Sequence, residues 1–279
     1  MRITRPTPSA RLLTLFGVTA VGLSVAAVTL PGEADAAPRH HQTRPTIVLE
    51  HGAFADASSW DGVVQRLERA GYPVVAAANP LRGPASDAAH LRGVVHHIDG
   101  PVVLVGHSYG GTVISRAAVG LEGKVKALVY VAAFLPDTGE SSLGLTDKFP
   151  GSTLGNVIDS VNYTLPDGSR GADVYIERDK FHQQFAADVP AGQARLMAAG
   201  QRPIAAAALE EKSTGAAWKT IPSWSLVTTE DLNIPVAAQR FMSHRAHART
   251  TEIDASHAVS VSHPGAVTRI VEKAARTVR

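Results

Sequence analysis

Runs of apolar, β-branched residues alternate along much of the chain with longer segments in which apolar residues recur at helical spacing. The apolar runs predict strands at residues 46–50, 73–78, 101–106, 125–133, 223–229 and 250–255. The intervening segments predict helices at residues 61–70, 86–98, 112–119, 235–244 and 264–276. Such alternation predicts an α/β fold in which helices cover both faces of a mostly parallel sheet.

This rhythm is interrupted between Pro136 and about Lys219, where Gly, Ser, Asp and Pro are frequent. Helices are expected at 175–185 and 190–201, and an alanine-rich segment follows at 204–211. A structureless loop of this length is rare in a compact domain. The pattern therefore predicts a helical cap inserted at about 136–219, above one edge of the sheet.

The N-terminal segment has the composition of an export signal. Three arginines occur in the first eleven residues, an uncharged apolar stretch fills 12–30, and small residues stand at Ala34 and Ala36. These features predict a signal peptide at 1–36 and a secreted, extracellular protein, with a retained membrane anchor as the alternative. After cleavage no stable membrane association is expected, because the rest of the chain is an ordinary globular sequence.

The mature part is expected to hold a short linker at 37–44 and one α/β domain at 45–279. The 279 residues carry a net charge of only +2 and contain no cysteine. The absence of cysteine excludes disulfides, thiol catalysis and thiolate metal sites. No basic stripe supports nucleic-acid binding, and no histidine pair has the carboxylate partners of a metal site. The oligomeric state is left open.

A G-x-S-x-G pattern follows the strand that ends at Gly106, with Ser108 at its centre and Gly110 beyond. A helix-forming segment comes next, so the order is strand, sharp turn, helix. This context favours a nucleophile elbow, in which the serine is exposed on a strained turn. The alternative is a glycine-rich turn that contains an incidental serine.

A serine hydroxyl needs a base and a group that orients the base. In this arrangement the acid and then the histidine follow the serine, each after a strand. Asp231 and His257 stand at those places, so Ser108, Asp231 and His257 are the candidate catalytic residues.

Several residues compete for these positions. Glu230 and Asp254 are alternative acids, and His263 is the main rival to His257. Most of the 12 histidines are expected to be exposed or structural. His107 is expected to point away from Ser108.

The amides of Tyr109 and Ala53 are the candidate oxyanion-hole donors, with Ala53 preferred over Phe54. His51 is expected to brace the loop that holds Ala53, and Trp60 to belong to the core rather than to a binding wall.

Substrate contacts are expected from aromatic residues of the loops and the cap, with ordinary packing as the favoured alternative for the cap residues. The candidates are Phe54, Phe134, Phe149, Phe181 and Phe185.

With these residues in view, the mature chain resembles the α/β-hydrolase superfamily over nearly its whole length. Within it, the chain is similar to the small-capped group that contains salicylate methyl esterases, hydroxynitrile lyases and their bacterial relatives. The matching segments are His51-Gly52-Ala53-Phe54 with Trp60, residues 106–111, Asp231 with Ile234-Pro235, and Ser256-His257-Ala258. The resemblance implies a central sheet of about eight strands, a helical cap and no cofactor.

Three positions differ from relatives. The lyases have threonine at Gly52 and lysine at Ala258, where the lysine supplies charge for cyanide departure; relatives more often have an apolar residue at Glu50.

The expected function is therefore a secreted serine esterase that acts on a small-molecule carboxylic ester. A cyanohydrin or C–C lyase and a catalytically weak ligand-binding protein are the alternatives, and the sequence leaves ester, lactone, thioester and amide substrates open.

Overall fold

The computed structural model describes residues 44–278, so the predicted signal peptide and nearly all of the predicted linker lie outside the described residues. The strands of the described chain are β1 (Thr46–Glu50), β2 (Val74–Ala77), β3 (Val102–Ser108), β4 (Val125–Ala133), β5 (Ile158–Thr164), β6 (Arg170–Ile176), β7 (Ile204–Ala205), β8 (Ser223–Thr228) and β9 (Arg249–Ile253). Its helices are α1 (Asp61–Arg69), α2 (Pro84–His97), α3 (Tyr109–Ala117), α4 (Ser142–Asp147), α5 (Phe181–Phe185), α6 (Ala191–Gly200), α7 (Ala206–Glu210), α8 (Val236–Arg245), α9 (Val259–Ser262) and α10 (Pro264–Ala275). None of these helices is both long enough and apolar enough to cross a bilayer.

Six parallel strands form the main sheet in the order β2-β1-β3-β4-β8-β9. The predicted α/β-hydrolase fold is confirmed, although the sheet has six strands where about eight were expected. Between β4 and β8, three further strands form a separate antiparallel sheet, β5-β6-β7, and do not extend the main one.

Side-chain alternation along the central strands divides the core into two layers. Val48 and Leu104 face one side of the sheet, where α2 and α3 pack. Ile47 and Val103 face the other side, together with Trp60 and the buried face of α10. The side chains of both layers are fully buried at these strands. Because β1 and β3 pair in parallel, their carboxyl ends lie next to each other at one edge of the sheet.

The segment between β4 and β8 differs from the predicted helical cap. Residues 175 and 176 end strand β6, and only Phe181–Phe185 of the predicted helix 175–185 is helical. The cause is the Pro166-Asp167-Gly168 turn: Gly168 takes the left-handed φ of +84°, and β5 and β6 pair on either side of it. The pairing of β5 with β6 continues as far as Ile176, so the residues up to that point form a strand. The segment between β4 and β8 is therefore a mixture of short helices and a small sheet.

Candidate active site

Ser108 occupies a backbone conformation that side chains rarely adopt. It is the last residue of β3, its φ and ψ are 54° and −126°, and α3 begins at the next residue. The turn depends on close backbone approach: a Cβ on Gly106 would lie 2.6 Å from the Gly110 carbonyl oxygen. A Cβ on Gly52 would lie 2.6 Å from the Ser108 Cβ. The structure therefore contains the predicted strand-turn-helix arrangement, with the loop after β1 pressed against the serine.

Asp231 and His257 meet beside this turn. Asp231 follows β8 and His257 follows β9, and the His257 Nδ1 atom donates to the Asp231 Oδ2 atom over 2.7 Å. Because Nδ1 carries the proton, Nε2 is the basic nitrogen of the neutral ring. Ser108 and His257 line the same cavity, so the three candidate residues form one cluster.

The rival residues lie elsewhere. Glu230 is exposed, and the Asp254 carboxylate accepts a hydrogen bond from Thr229 Oγ1 at 2.7 Å. His263 is half-exposed, with its Nδ1 atom 3.4 Å from Asp188.

The Asp231 carboxylate is saturated with donors. Its Oδ1 atom accepts the backbone N–H groups of Asn233 and Ile234 at 2.8 and 2.9 Å. Its Oδ2 atom accepts from Thr228 Oγ1 and Gln239 Nε2 at 3.1 and 2.9 Å, in addition to His257. A buried carboxylate with this many donors is held in one orientation.

The predicted oxyanion donors converge on the same cavity, which Ala53 and Tyr109 both line. The Phe54 amide is already committed, because it donates to the Arg202 carbonyl at 2.9 Å. This supports the preference for Ala53. Tyr109 is the first residue of α3, where an amide has no partner within its own helix.

His51 braces this loop, as the sequence indicated. Its Nε2 atom accepts the Asn79 backbone N–H at 3.1 Å, and its Nδ1 atom donates to the Gly52 carbonyl at 2.9 Å. Burial lowers the pKa of His51, which keeps the ring neutral and able to accept. Trp60 is fully buried and belongs to the core.

His107 contacts His257 and supports it, and this contact was not predicted from the sequence. The His107 Nε2 atom donates to the His257 carbonyl at 2.9 Å, and the two rings lie 4.7 Å apart. Burial, and then the neighbouring His257, lowers the pKa of His107 to about 3. A neutral His107 can buttress His257 without repelling it when it becomes charged. The sequence feature that could have indicated this contact is the position of His107 directly before Ser108.

A second support for His257 comes from the segment that follows α5. The Asp188 carboxylate accepts the Ser256 backbone N–H at 3.1 Å and also the Ser256 hydroxyl. The Phe185 carbonyl accepts the Ala258 N–H at 2.9 Å. Both neighbours of His257 are thus tied to residues 185–188, which we call the histidine clamp. No short-range pattern in the sequence links these distant segments.

The cavity above Ser108 has a volume of about 480 Å³. Of the aromatic candidates, Phe54, Phe134 and Phe149 line it. The prediction for Phe181 and Phe185 is wrong, because both are buried behind His257. The Phe185 ring packs edge-on against the His257 ring at 5.0 Å, and Phe181 stacks on Phe185 at 5.0 Å.

Glu50, at the end of β1, is fully buried, and neither carboxylate oxygen has a hydrogen-bond partner among the described residues. Burial, reinforced by nearby Asp87, raises its pKa to about 8. Asp87 in turn accepts the Tyr109 hydroxyl at 2.8 Å. Glu50 is therefore protonated near neutral pH, directly below the loop that carries Ala53.

Residues 44–278 contain no group of three or more His, Cys, Asp or Glu side chains arranged to hold a metal ion.

Comparison with known proteins agrees with this geometry. The sequence profile of the alpha/beta hydrolase family matches residues 47–270, and the chain belongs to this family. The resemblance predicted from the sequence is thereby confirmed.

The chain is similar to several individual proteins of known sequence or structure. A pyrethroid hydrolase of Sphingobium wenxiniae is 28% identical over 245 residues, which cover 78% of this chain and 83% of the relative. Methylesterase 2 of Arabidopsis thaliana is 28% identical over 216 residues, which cover 71% and 82%. Among solved structures, polyneuridine aldehyde esterase superposes with a TM-score of 0.72 at 22% identity, covering 82% of this chain and 98% of that chain. This last likeness is one of fold.

Replacing Glu50 by Gln is expected to remove a pH-dependent loss of stability. Between the ordinary pKa of 4.5 and the raised value of about 8, the folded protein holds a proton that the unfolded chain has released. The free energy of unfolding should then fall as pH rises, by up to about 1.4 kcal/mol per pH unit. Urea unfolding should give Glu50→Gln the stability of wild type near pH 4 and a clear excess, at least about 1 kcal/mol, near pH 8.

The exposed Glu68 provides the matched control. Glu68→Gln should keep the pH dependence of the wild type. Parallel stability curves for wild type and Glu50→Gln would show that Glu50 does not titrate in this range.

Proposed function

We propose that this protein is a serine hydrolase that cleaves carboxylic esters through an acyl-enzyme on Ser108. The observation that carries the proposal is the 2.7 Å bond from His257 to Asp231, at the wall of the cavity that also exposes Ser108 on its strained turn. The names of the relatives support the ester class, since they include a pyrethroid hydrolase and a methylesterase.

In the first step the Ser108 oxygen attacks the ester carbonyl carbon while its proton passes to His257 Nε2. The carbonyl π electrons move to the oxygen, which becomes an oxyanion. When these electrons return, the bond to the alkoxy group breaks, and the departing oxygen takes the proton from His257. Ser108 now carries the acyl group, and the alcohol is free.

Water completes the cycle by the same route. His257 takes a proton from water, the hydroxide oxygen bonds to the acyl carbon, and collapse of the second oxyanion releases Ser108. Ser108 regains its proton from His257, and the carboxylic acid leaves. Asp231 keeps His257 in the required tautomer and stabilises its charged form.

The oxyanion formed in each step is stabilised by the amides of Ala53 and Tyr109. Loss of one such donor typically costs about 3 kcal/mol of transition-state stabilisation. The loop that carries Ala53 lies close against Ser108, at a distance at which a Cβ on Gly52 would come within 2.6 Å of the Ser108 Cβ.

The lyase alternative requires a positive charge beside the departing cyanide. Ala258 stands at the position concerned, is buried, and donates its amide to Phe185. No Lys or Arg occurs among the residues that line the cavity. We therefore place ester hydrolysis first.

The proposal predicts hydrolysis of p-nitrophenyl acetate, butyrate or octanoate that disappears in Ser108→Ala. The chain-length preference would report how much of the cavity the acyl group fills. A folded wild-type protein with no activity above Ser108→Ala would contradict the proposal for simple esters. Turnover of mandelonitrile without ester hydrolysis would support the lyase, and saturable binding without turnover would support a ligand-binding protein.

The histidine clamp is expected to position His257 for proton transfer, so its loss should slow turnover rather than weaken binding. Asp188→Ala should lower kcat by about tenfold or more with little change in KM, because small displacements of a catalytic group are costly. Asp188→Asn, which keeps an acceptor for Ser256, should recover part of the loss. Kinetics on p-nitrophenyl butyrate would measure both effects.

Asp179, exposed in the loop before α5, provides the control. Asp179→Ala should leave kcat unchanged. A folded Asp188→Ala with wild-type kcat would show that His257 does not need the clamp.

We also propose that the protein is exported and acts outside the cell. The proposal rests on the basic start, the apolar stretch and the Ala34-Asp35-Ala36 site. N-terminal sequencing of the protein from culture medium should begin at Ala37. An uncleaved protein that remains with the membrane fraction would contradict it.

A further inference from the structure

Strand β5 forms one edge of the small antiparallel sheet, and no strand of residues 44–278 pairs with its outer side. Its pairing with β6 runs without interruption from Ile158 to Thr164. Every residue of β5 is exposed except Tyr163, which is half-buried. The opposite edge of this sheet is different, because β7 has only two residues and the Ala205 N–H already donates to the Leu81 carbonyl at 3.0 Å.

The backbone groups on the free side of β5 can be assigned from the two ends of the hairpin. The Glu177 N–H donates to the Val157 carbonyl, and the Leu165 N–H donates to the Ser169 carbonyl, each at 2.8 Å. Odd-numbered residues of β5 therefore direct their backbone groups toward β6, since residues of an antiparallel strand alternate in this respect. Four exposed residues direct their N–H and C=O groups to the free edge: Ile158, Ser160, Asn162 and Thr164.

β5 lacks the features that usually protect such an edge. Soluble proteins protect free edges with proline, lysine, a bulge or a covering segment, because an open row of backbone groups pairs readily with another chain. β5 contains neither proline nor lysine, and its one charged residue is Asp159. Apolar side chains are exposed along it, with Ile158 at 40%, Val161 at 51% and Leu165, directly after the strand, at 46%. This combination is typical of a surface that binds another strand.

The residues of β5 are complementary to those of a second copy of the same strand. In an antiparallel pair with a two-fold axis at Val161, every residue from Ile158 to Thr164 has a partner. Ser160 then lies opposite Asn162 of the second copy. Both residues direct their backbone groups outward, so they can exchange two hydrogen bonds. Val161 lies opposite Val161 of the second copy, in the closer, non-hydrogen-bonded type of pair.

The charge on the strand favours the same register. With the axis at Val161, Asp159 lies opposite the neutral Tyr163 of the second copy. An axis at Asp159 would place two carboxylates opposite each other, which is unfavourable. An axis at Ser160 or Asn162 would leave one end of each strand unpaired. The axis at Val161 therefore gives the longest ladder without a contact between like charges.

We propose that the protein forms a two-fold dimer in which β5 of one copy pairs antiparallel with β5 of the other, with the axis at Val161. The small antiparallel sheets of the two copies then form one continuous sheet, in keeping with the prevalence of two-fold dimers among soluble oligomers. Ile158 and Val174 also line the cavity above Ser108, so the dimer connects the walls of the two candidate active sites. The pairing does not depend on the activity of Ser108.

Cysteine crosslinking tests the register, because the chain contains no cysteine of its own. In Val161→Cys the two thiols would face each other across the axis, at the Cα separation of roughly 4.5 Å that permits a disulfide. Asn162→Cys is the matched control at an adjacent exposed position. There each thiol would face Ser160 of the second copy, and the two thiols would lie on a diagonal of about 7–8 Å, which is too long for a disulfide.

Under mild oxidation, Val161→Cys should form a disulfide-linked dimer at least about tenfold faster than Asn162→Cys. The rates are measured by non-reducing electrophoresis. Equal rates for the two variants would show random collision of exposed thiols and would overturn the proposal.

Sedimentation equilibrium measures the association itself, in wild type and in two double variants that each carry two new charges. Ser160→Lys with Asn162→Lys places like charges opposite each other across the interface, whereas Ser160→Glu with Asn162→Lys places opposite charges there. Wild type should associate to two chains. The first variant should dissociate about tenfold more readily, and the second should associate at least as tightly as wild type.

Two results of this measurement would overturn the proposal. A wild type that keeps the mass of one chain at every concentration would mean that the β5 edge is free or meets a strand of another protein. A dimer that both double variants weaken equally, or that neither weakens, would use a different surface. Ester hydrolysis is not part of either test, so the dimer and the proposed function can fail independently.

Discussion

The site depends on the left-handed backbone of Ser108 at the end of β3. Such a conformation is costly for a residue with a side chain and persists only where the surroundings impose it. Here the loop after β1, strand β3 and helix α3 come into backbone contact, at positions where a single Cβ would not fit. This contact raises the serine hydroxyl into the cavity, and it also brings the Ala53 and Tyr109 amides to the same side. The strain at Ser108 and the proposed oxyanion site therefore have a common origin.

Hydrogen bonding and burial act differently on each ionisable group around Ser108. Asp231 accepts hydrogen bonds at both carboxylate oxygens. His107 stays neutral because burial lowers its pKa, and Glu50 stays protonated near neutral pH because burial raises its pKa. In the proposed mechanism His257 is the group of this cluster that gains and loses a proton. A second ionised group at the position of Glu50 or His107 would disturb the charge balance on which that transfer depends.

The sequence allowed the strand and helix order, the turn at Ser108, and Asp231 and His257 to be predicted, because each has a local signature in apolar periodicity, glycine spacing or position after a strand. The β5–β6 hairpin has a turn signal in Pro166-Asp167-Gly168, but β5 is almost wholly exposed and lacks the apolar alternation that marks a half-buried strand. The burial of Phe181 and Phe185 and the Asp188 contact to Ser256 have no local signature. They arise from packing between segments that are distant in the chain, which periodicity does not report.

We propose that the strained Ser108 is the nucleophile and that Asp231 and His257 activate it. Peptide mapping by mass spectrometry after treatment with a fluorophosphonate, which forms a stable bond only with an activated serine, tests this claim directly. We expect one adduct, on Ser108, that forms rapidly in wild type and far more slowly in His257→Ala and Asp231→Ala. An adduct on another serine, or labelling of Ser108 at the same rate in all three proteins, would contradict it.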